Sequence, residues 1–286
     1  MDVTGKTAFI TGGASGIGFA IANSFAAKGA NVMLADINAD ALEEAASTLS
    51  AKGANVGTVL CDVGSEADVR AAAEATIERF GKVHIVVNNA GVGIGGKAGE
   101  TPIEDWKWIV DINLMGVVYG VEVFTPLIKS LGEGGYFVNT ASMAGHVASP
   151  AMAPYHATKF AVVGYSEALK DDLARSNIGV SVLCPAWVRT SIYKSHLNSP
   201  TEKTNASGEK GFSAMKDVVE SGIAPELVGD WTVECVEQGR FYIFTHPSME
   251  QYIGMRHEQI RADYAACAAD ARLADEPESL PIPTEV

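Results

Sequence analysis

The sequence predicts an α/β protein built on one doubly wound, parallel, seven-stranded sheet with a C-terminal helical extension. Two observations lead to this prediction. Short apolar runs alternate with helical segments along most of the 286 residues, and glycine or small polar residues follow several of these runs. Runs of this kind are typical of strands that are buried on both faces of a parallel sheet.

The elements follow one another in a regular order. Strands are predicted at residues 7–10, 31–35, 56–60, 85–87, 136–140, 179–183 and 239–244. Helices are predicted at residues 19–28, 39–50, 66–80, 103–131, 155–175, 225–238 and 249–274. We expect one domain over residues 1–274, within which the polar stretch 191–225 is an insertion suited to cover a substrate. Residues 275–286 are acidic and proline-rich, and we expect them to be disordered.

The composition argues against several classes of function. Hydrophobic residues make up 47% of the chain, and its formal net charge is −14. Because such a surface repels nucleic-acid phosphates and anionic lipid, we expect neither a nucleic-acid nor a membrane partner. No apolar run is expected to span a bilayer. The cysteines form no CxxC pair, which indicates a reducing cytoplasm and no metal site; they are Cys61, Cys184, Cys235 and Cys267.

A glycine-rich turn, TGGASGIG at residues 11–18, is a candidate dinucleotide site. Glycine lets the backbone approach phosphates, and a helix N-terminus receives their charge. Asp36 ends the second predicted strand, where a carboxylate suits the hydroxyls of an adenosine ribose and repels a 2′-phosphate. Neither Ser15 nor Ile37 would neutralise that phosphate, so NAD is predicted rather than NADP. Taken alone, the motif also fits a tight turn that merely needs glycine.

A serine, a tyrosine and a lysine form a candidate acid/base site. Tyr155 and Lys159 stand at i and i+4, so they share one face of the predicted helix. A phenol titrates near pH ~10, and a nearby ammonium lowers that pKa by favouring the phenolate. We therefore expect Lys159 to bring the pKa of Tyr155 closer to neutrality, as proton transfer requires. Ser142 follows a strand and can hydrogen-bond the oxygen that exchanges the proton.

In this order, the residues resemble the short-chain dehydrogenase/reductase family in its compact form. The similarity covers about residues 3–192 and includes NNAG at residues 88–91. It implies a Rossmann-like fold and an NAD-dependent oxidoreductase acting on an alcohol or ketone. The catalytic residues that it implies are Ser142, Tyr155, Lys159 and Asn113, the last through a water that links the lysine to solvent.

The same resemblance implies a set of cofactor contacts along the carboxyl edge of the sheet. They are Gly12, Ser15, Gly16, Ile17, Gly18, Asp36, Ile37, Asp62, Val63, Asn89, Ala90, Gly91, Tyr155, Lys159, Pro185, Val188 and Thr190. Ala186 departs from the family pattern, which usually has glycine after the proline. Its methyl group is expected to crowd the cofactor or to reshape the floor of the pocket.

The predicted substrate pocket is mostly apolar and aromatic, with candidate residues Ile94, Met143, His146, Trp187, Ile192 and Tyr193. Such a lining suits a hydrophobic, aryl secondary alcohol and its ketone. The region after residue 190 also resembles bacterial Cα-dehydrogenases of lignin-derived aryl ethers, which implies benzylic oxidation with NAD. A steroid, a polyol or an aliphatic hydroxy compound stays open as substrate, and core packing is the alternative role for each candidate.

Two other classes of function are weighed against the enzyme. An NAD-binding scaffold protein would be expected to lack one of the three catalytic side chains. Nucleotide-sugar epimerases with the same tyrosine and lysine usually need a longer C-terminal domain. Both helices at residues 103–131 and 155–175 are apolar on more than one face, so we expect a homodimer or homotetramer.

Overall fold

The computed structural model describes residues 1–201 and 216–273. It divides into two compact units, Met1–Thr245 and His246–Val286. The first unit holds the sheet and all candidate site residues. The middle of the predicted insertion and the predicted disordered tail lie outside the described residues.

Within the described residues, seven strands form one parallel sheet. They are β1 Thr7–Thr11, β2 Asn31–Asp36, β3 Val56–Leu60, β4 Ile85–Asn88, β5 Gly135–Thr140, β6 Ile178–Cys184 and β7 Tyr242–Phe244. Their spatial order is β3-β2-β1-β4-β5-β6-β7. Strands are added to one side of β1 up to β3 and to its other side from β4 onward, so the strand order reverses between β1 and β4. At such a point, doubly wound sheets open a crevice at their carboxyl edge. The predicted fold class is confirmed.

Helices cover both faces of the sheet. In the first unit they are α1 Gly16–Ala27, α2 Ala39–Ala51, α3 Glu66–Phe80, α4 Ile103–Val110, α5 Gly116–Leu131, α6 Ala153–Leu173 and α7 Pro225–Gln238. In the second unit, α8 spans Glu250–Ala268 and precedes a short 3-10 turn, Ala271–Leu273. Local chemistry sets the ends: Asn38 and Ser65 cap α2 and α3 through their side chains, and Gly81 ends α3 at a φ of 74°.

Two clusters of buried side chains lie on the two faces of the sheet. Alternate residues of one strand point to opposite faces, so Ile10 packs with α1 and α7 while Phe9 packs with α3, α5 and α6. The closest helix pair involves Gly229 of α7, because a Cβ there would lie 2.5 Å from the carbonyl oxygen of Ala20 in α1. These clusters hold the carboxyl edge of the sheet in a fixed geometry.

The predicted helix at residues 103–131 is three segments in the structure. A π-helical turn, Asp111–Met115, separates α4 from α5, and such turns recur at functional sites. By length and composition Ile103–Leu131 could cross a membrane, contrary to our expectation that no segment could. Part of the segment belongs to the core, since the rings of Phe124 and Phe9 lie 4.5 Å apart and Phe124 is fully buried.

A buried histidine joins the amino ends of β1 and β4. His84 is 2% exposed, and its Nδ1 accepts a hydrogen bond from the backbone N–H of Thr7 at 3.1 Å. Its Nε2–H therefore donates to Glu133, 3.0 Å away, which also pairs with Lys82. Burial lowers the pKa of His84. Hydrogen bonds from Lys82 and His84 lower the pKa of Glu133 to about 2.

This contact predicts a loss of stability in mild acid. The folded-state pKa of His84 lies below its ordinary value, so its contribution is present above that value and is lost as the pH falls. At about pH 7, His84→Leu should lower the free energy of unfolding by about 1–3 kcal/mol, because the N–H of Thr7 loses its acceptor. At about pH 5 the gap to the wild type should be smaller. Urea unfolding at both pH values measures it, and a gap that does not change with pH would contradict the assignment.

Candidate active site

The glycines between β1 and the first turn of α1 leave little room for side chains at their positions. Gly12 and Gly16 have positive φ angles of 61° and 54°. A Cβ on Gly18 would lie 2.1 Å from the carbonyl oxygen of Gly12 and 2.5 Å from the side-chain nitrogen of Asn89. Ser15 precedes α1 but does not cap it through its side chain. The first N–H groups of α1 are therefore available to an anion, and the glycines form a cradle that a Cβ would fill.

Asp36 lies against this cradle. Its two carboxylate oxygens accept hydrogen bonds from the backbone N–H groups of Ala14 at 3.2 Å and of Asn38 at 3.1 Å. Ile37 is 68% exposed beside it. The carboxylate thus places a negative charge beside the cradle, and a carboxylate in such a place can accept hydrogen bonds from ribose hydroxyls. Asp62 is exposed and accepts from the N–H of Gly64 at 2.9 Å.

Thr11 connects the carboxyl ends of β1 and β4, a role that the sequence analysis missed. Its hydroxyl oxygen accepts from the N–H groups of Asn89 at 2.9 Å and of Ala90 at 3.1 Å. The amide of Asn89 donates in return to the carbonyl oxygen of Thr11 at 3.0 Å. This reciprocal pair sets the backbone of the NNAG segment next to the glycine turn.

The predicted lysine and asparagine converge on Gly91. A Cβ there would lie 3.3 Å from Oδ1 of Asn113 and 3.6 Å from Nζ of Lys159. Asn113 lies in the π-helical turn and uses its side chain twice on Val92, accepting from its N–H at 2.8 Å and donating to its carbonyl at 2.9 Å. Lys159 is 4% exposed and donates to the carbonyl oxygen of Thr140 at 2.9 Å.

Ser142 and Tyr155 complete the group. The Ser142 hydroxyl donates to the carbonyl of Pro185 at 3.2 Å and accepts from the N–H of Ala144 at 3.0 Å. The phenol of Tyr155 lies near enough to this hydroxyl for Ser142 to lower its pKa. The lysine nitrogen lies 5.7 Å from the centre of the tyrosine ring. The structure therefore brings all four predicted catalytic residues to the carboxyl edge of β4 and β5.

The predicted direction of the tyrosine shift is wrong for this arrangement. Burial raises the pKa of Tyr155, and the hydrogen bond to Ser142 only partly offsets this. Burial also lowers the pKa of Lys159 to about 8. Desolvation, which disfavours both the ammonium and the phenolate, is thus the largest cause of both shifts.

His156, which the sequence analysis also missed, attaches the loop after Ser142 to α6. Its ring donates from Nδ1 to the carbonyl of Ala144 at 2.9 Å, because Nε2 accepts the N–H of Ser149 at 2.9 Å. The side chain is 8% exposed. Since His156 follows Tyr155 directly, these bonds fix the loop of the serine relative to the tyrosine.

The predicted substrate residues separate into two groups. Ile94 and Met143 are buried, at 0% and 4% exposure. His146 lies against Cys184, with 3.3 Å between Nε2 and Sγ, and against the ring of Phe244 in β7. By contrast, Trp187, Ile192 and Tyr193 are wholly or partly exposed in the segment after β6.

That segment is held by backbone pairing. The N–H of Arg189 donates to the carbonyl of Ile223 at 3.0 Å, and the N–H of Ile223 donates to the carbonyl of Trp187 at 3.1 Å. Val188 is 4% exposed between them. Asp105, on α4, is fully buried and accepts the hydroxyls of Ser199 at 2.6 Å and of Thr201 at 2.7 Å. The described part of the predicted insertion is thus anchored to the sheet domain at both ends.

A cleft of about 530 Å³ lies where this segment meets the glycine turn. Gly16, Thr190 and Tyr193 of the predicted site line it, together with Arg189, Ser191 and Glu220. Thr190 contacts the turn closely, because a Cβ on Gly16 would lie 3.1 Å from its methyl carbon.

The family model described as short chain dehydrogenase matches residues 6–200. The chain belongs to this family. The predicted family is confirmed, and short-chain dehydrogenases are oxidoreductases that bind NAD(H).

Relatives of this short-chain dehydrogenase match it over nearly its whole length. It is 36% identical over 274 residues to the CLA biosynthesis dehydrogenase/reductase of Lactiplantibacillus plantarum, covering 92% of this chain and 96% of the relative. It is 30% identical over 274 residues to the C alpha-dehydrogenase of a Sphingobium species, covering 94% and 90%. A solved short-chain dehydrogenase/reductase from Burkholderia phymatum, in complex with NAD, superposes with a TM-score of 0.86 at 39% identity, covering 92% and 96%.

The buried lysine predicts a gain of stability in alkaline solution. Its pKa is about 8 in the fold and 10.5 ordinarily. Between these values only the unfolded state binds the proton, so the free energy of unfolding rises with pH. Relative to Lys159→Met, the wild type should gain roughly 3 kcal/mol from about pH 7 to about pH 10.

Urea unfolding of both proteins across this range measures the gain. Lys170→Met is the matched control, because Lys170 is exposed on the same helix. An equal pH dependence for both variants would contradict the buried ammonium.

Proposed function

We propose that this protein is an NAD(H)-dependent dehydrogenase/reductase that interconverts a hydrophobic, aryl secondary alcohol and its ketone. The observation that carries the proposal is the grouping of Ser142, Tyr155 and the buried Lys159 at the carboxyl edge of the sheet, next to a cradle for a dinucleotide. An NAD-binding scaffold protein has no use for this acid/base group.

The residues present fit NAD. The glycine cradle and the N-terminus of α1 would hold the pyrophosphate, and Asp36 would hold the adenosine ribose. The NAD complex of the Burkholderia phymatum relative supports this choice. Bound NAD would accept the hydride of the alcohol carbon, and NADH would return it.

The protein residues would move the proton. The hydroxyls of Ser142 and Tyr155 would bind the substrate oxygen together. Because burial raises its pKa, Tyr155 carries its proton at neutral pH and is ready to donate to a ketone. Oxidation requires Tyr155 to lose this proton to solvent first, and the ammonium of Lys159 would favour the phenolate that remains.

Asn113 would act by positioning. Both polar atoms of its side chain are engaged by Val92. We therefore propose that it supports the water relay by holding Gly91 and Val92 beside Lys159.

The substrate class follows from the exposed apolar side chains near the cleft and from the relatives. Trp187 is 42% exposed and Ile192 is 36% exposed, which suits an aryl or other apolar group. The Sphingobium C alpha-dehydrogenase supports a benzylic alcohol of a lignin-type β-aryl ether. The Lactiplantibacillus plantarum enzyme, named for CLA biosynthesis, favours an aliphatic hydroxy substrate as the second candidate.

A panel of alcohols separates these candidates. NADH absorbance is followed while the protein meets NAD or NADP with benzylic aryl-ether alcohols, simple aryl alcohols, aliphatic hydroxy compounds and steroids. Turnover with NAD on the aryl ethers supports the proposal in full. Turnover only on aliphatic compounds moves the substrate to the second candidate, and a preference for NADP contradicts the role of Asp36.

Removal of one hydroxyl tests the mechanism. Tyr155→Phe should lower kcat by about 100-fold or more, because the proton has no donor or acceptor, while the Kd for NADH stays nearly constant. Tyr165→Phe is the matched control on the same helix, since its hydroxyl has no hydrogen-bond partner among the described residues. Full turnover by Tyr155→Phe would refute the mechanism.

We also propose that the enzyme is a cytoplasmic homodimer or homotetramer. The α4 and α5 segment supports assembly, because Ile103 is 62% exposed and Trp108 and Val118 are only half-buried. Light scattering should return a mass of at least two chains, whereas a monomer would contradict the assembly.

A further inference from the structure

The cleft at the glycine turn contains a cation that the proposed mechanism does not use. Arg189 lines this cleft together with Gly16 and Thr190. Across residues 1–201 and 216–273, its guanidinium has neither an ion pair nor a hydrogen bond. The backbone of Arg189 is fixed by its hydrogen bond to Ile223, so the origin of the side chain is fixed as well.

The other charged side chain in the cleft is compensated. Glu220 accepts a hydrogen bond from the hydroxyl of Tyr193 at 3.3 Å and lies 3.7 Å from the ammonium of Lys216. The charge of Lys216 therefore balances that of Glu220, and the cleft keeps the positive charge of Arg189. This local charge stands out on a chain with a formal net charge of −14.

The place of this charge points to one kind of ligand. Thr190, the next residue, lies against Gly16, where α1 begins. Gly16 at the N-terminus of α1 and the exposed Arg189 line the same cleft. A helix N-terminus and a guanidinium both favour an anion, and a guanidinium matches phosphate oxygens geometrically. The overall charge of the protein repels a dianionic pyrophosphate at long range, so a local cation would offset that repulsion.

We propose that Arg189 binds the pyrophosphate of the dinucleotide and so provides a cofactor contact outside the glycine turn. The inference rests on the proposed function, since it needs a dinucleotide in the cradle. The alternative ligand is a carboxylate on the substrate, which the same cation could bind. The two ligands differ in what the arginine would change: the Kd of the cofactor in one case and the KM of the substrate in the other.

The test measures binding and needs no substrate. NADH is titrated by its fluorescence, and ADP-ribose, which keeps the pyrophosphate but lacks nicotinamide, is titrated by calorimetry. The proteins are the wild type, Arg189→Gln and Lys194→Gln. Lys194 is the matched control, because it is an exposed neighbouring cation that does not line the cleft. Thermal unfolding without ligand shows that each variant is folded.

Arg189→Gln should raise the Kd of both NADH and ADP-ribose by roughly 5- to 10-fold, the loss of one charge-assisted contact. Lys194→Gln should leave both values unchanged. Added salt should weaken binding to the wild type more than binding to Arg189→Gln, because screening acts on the contact that the variant lacks.

Three results would overturn the inference. An unchanged Kd for NADH in Arg189→Gln excludes a cofactor contact, and then a raised KM for an acidic substrate would assign the arginine to the substrate. A weaker affinity for NADH but not for ADP-ribose would move the contact to the nicotinamide half. Failure of the wild type to bind either ligand would overturn the proposed function itself. That failure is distinguishable, because in the other two cases the wild type still binds.

Discussion

The site depends on one close approach, in which the backbone of Gly18 passes over the carbonyl of Gly12. A single methyl group would collide with that oxygen at 2.1 Å. Because glycine stands there, α1 begins directly after β1 and its N-terminus lies at the carboxyl edge of the sheet. The hydrogen bonds of Thr11 with Asn89, and of Asp36 with Ala14, both need the turn in this position. The shape of the glycine cradle is therefore a consequence of backbone packing more than of side-chain chemistry.

The acid/base side depends on burial. Lys159 is nearly inaccessible, and this burial makes its charge costly and lowers its pKa, although the carbonyl of Thr140 accepts a hydrogen bond from its ammonium. The same burial keeps the proton on Tyr155. The same environment therefore favours loss of the proton from Lys159 and retention of the proton by Tyr155. A positive charge brought near Tyr155 would favour its phenolate. Such a site combines a proton donor with a route for its proton.

Much of this arrangement could be predicted from local sequence. The order of strands and helices, the glycine turn, and the spacing of Tyr155 and Lys159 are local properties, and the structure agrees with them. Contacts between distant segments could not be predicted in this way. Thr11 and His156 act through backbone groups that only the fold brings near, and the π-helical turn at Asn113 has no local signal. Periodicity also does not show that His146 packs on β7, or whether burial or attraction decides the pKa of Tyr155.

The buried contact of Gly229 with Ala20 links the site to α7. The backbones of the two helices are in direct contact at this point, so the packing of α7 fixes the position of α1. The direction in which α1 presents its first N–H groups therefore depends on a contact at Ala20, two residues after Gly18 of the cradle. A larger residue in place of Gly229 would push the two helices apart. It would change the direction of α1 while every residue that lines the cleft stayed the same.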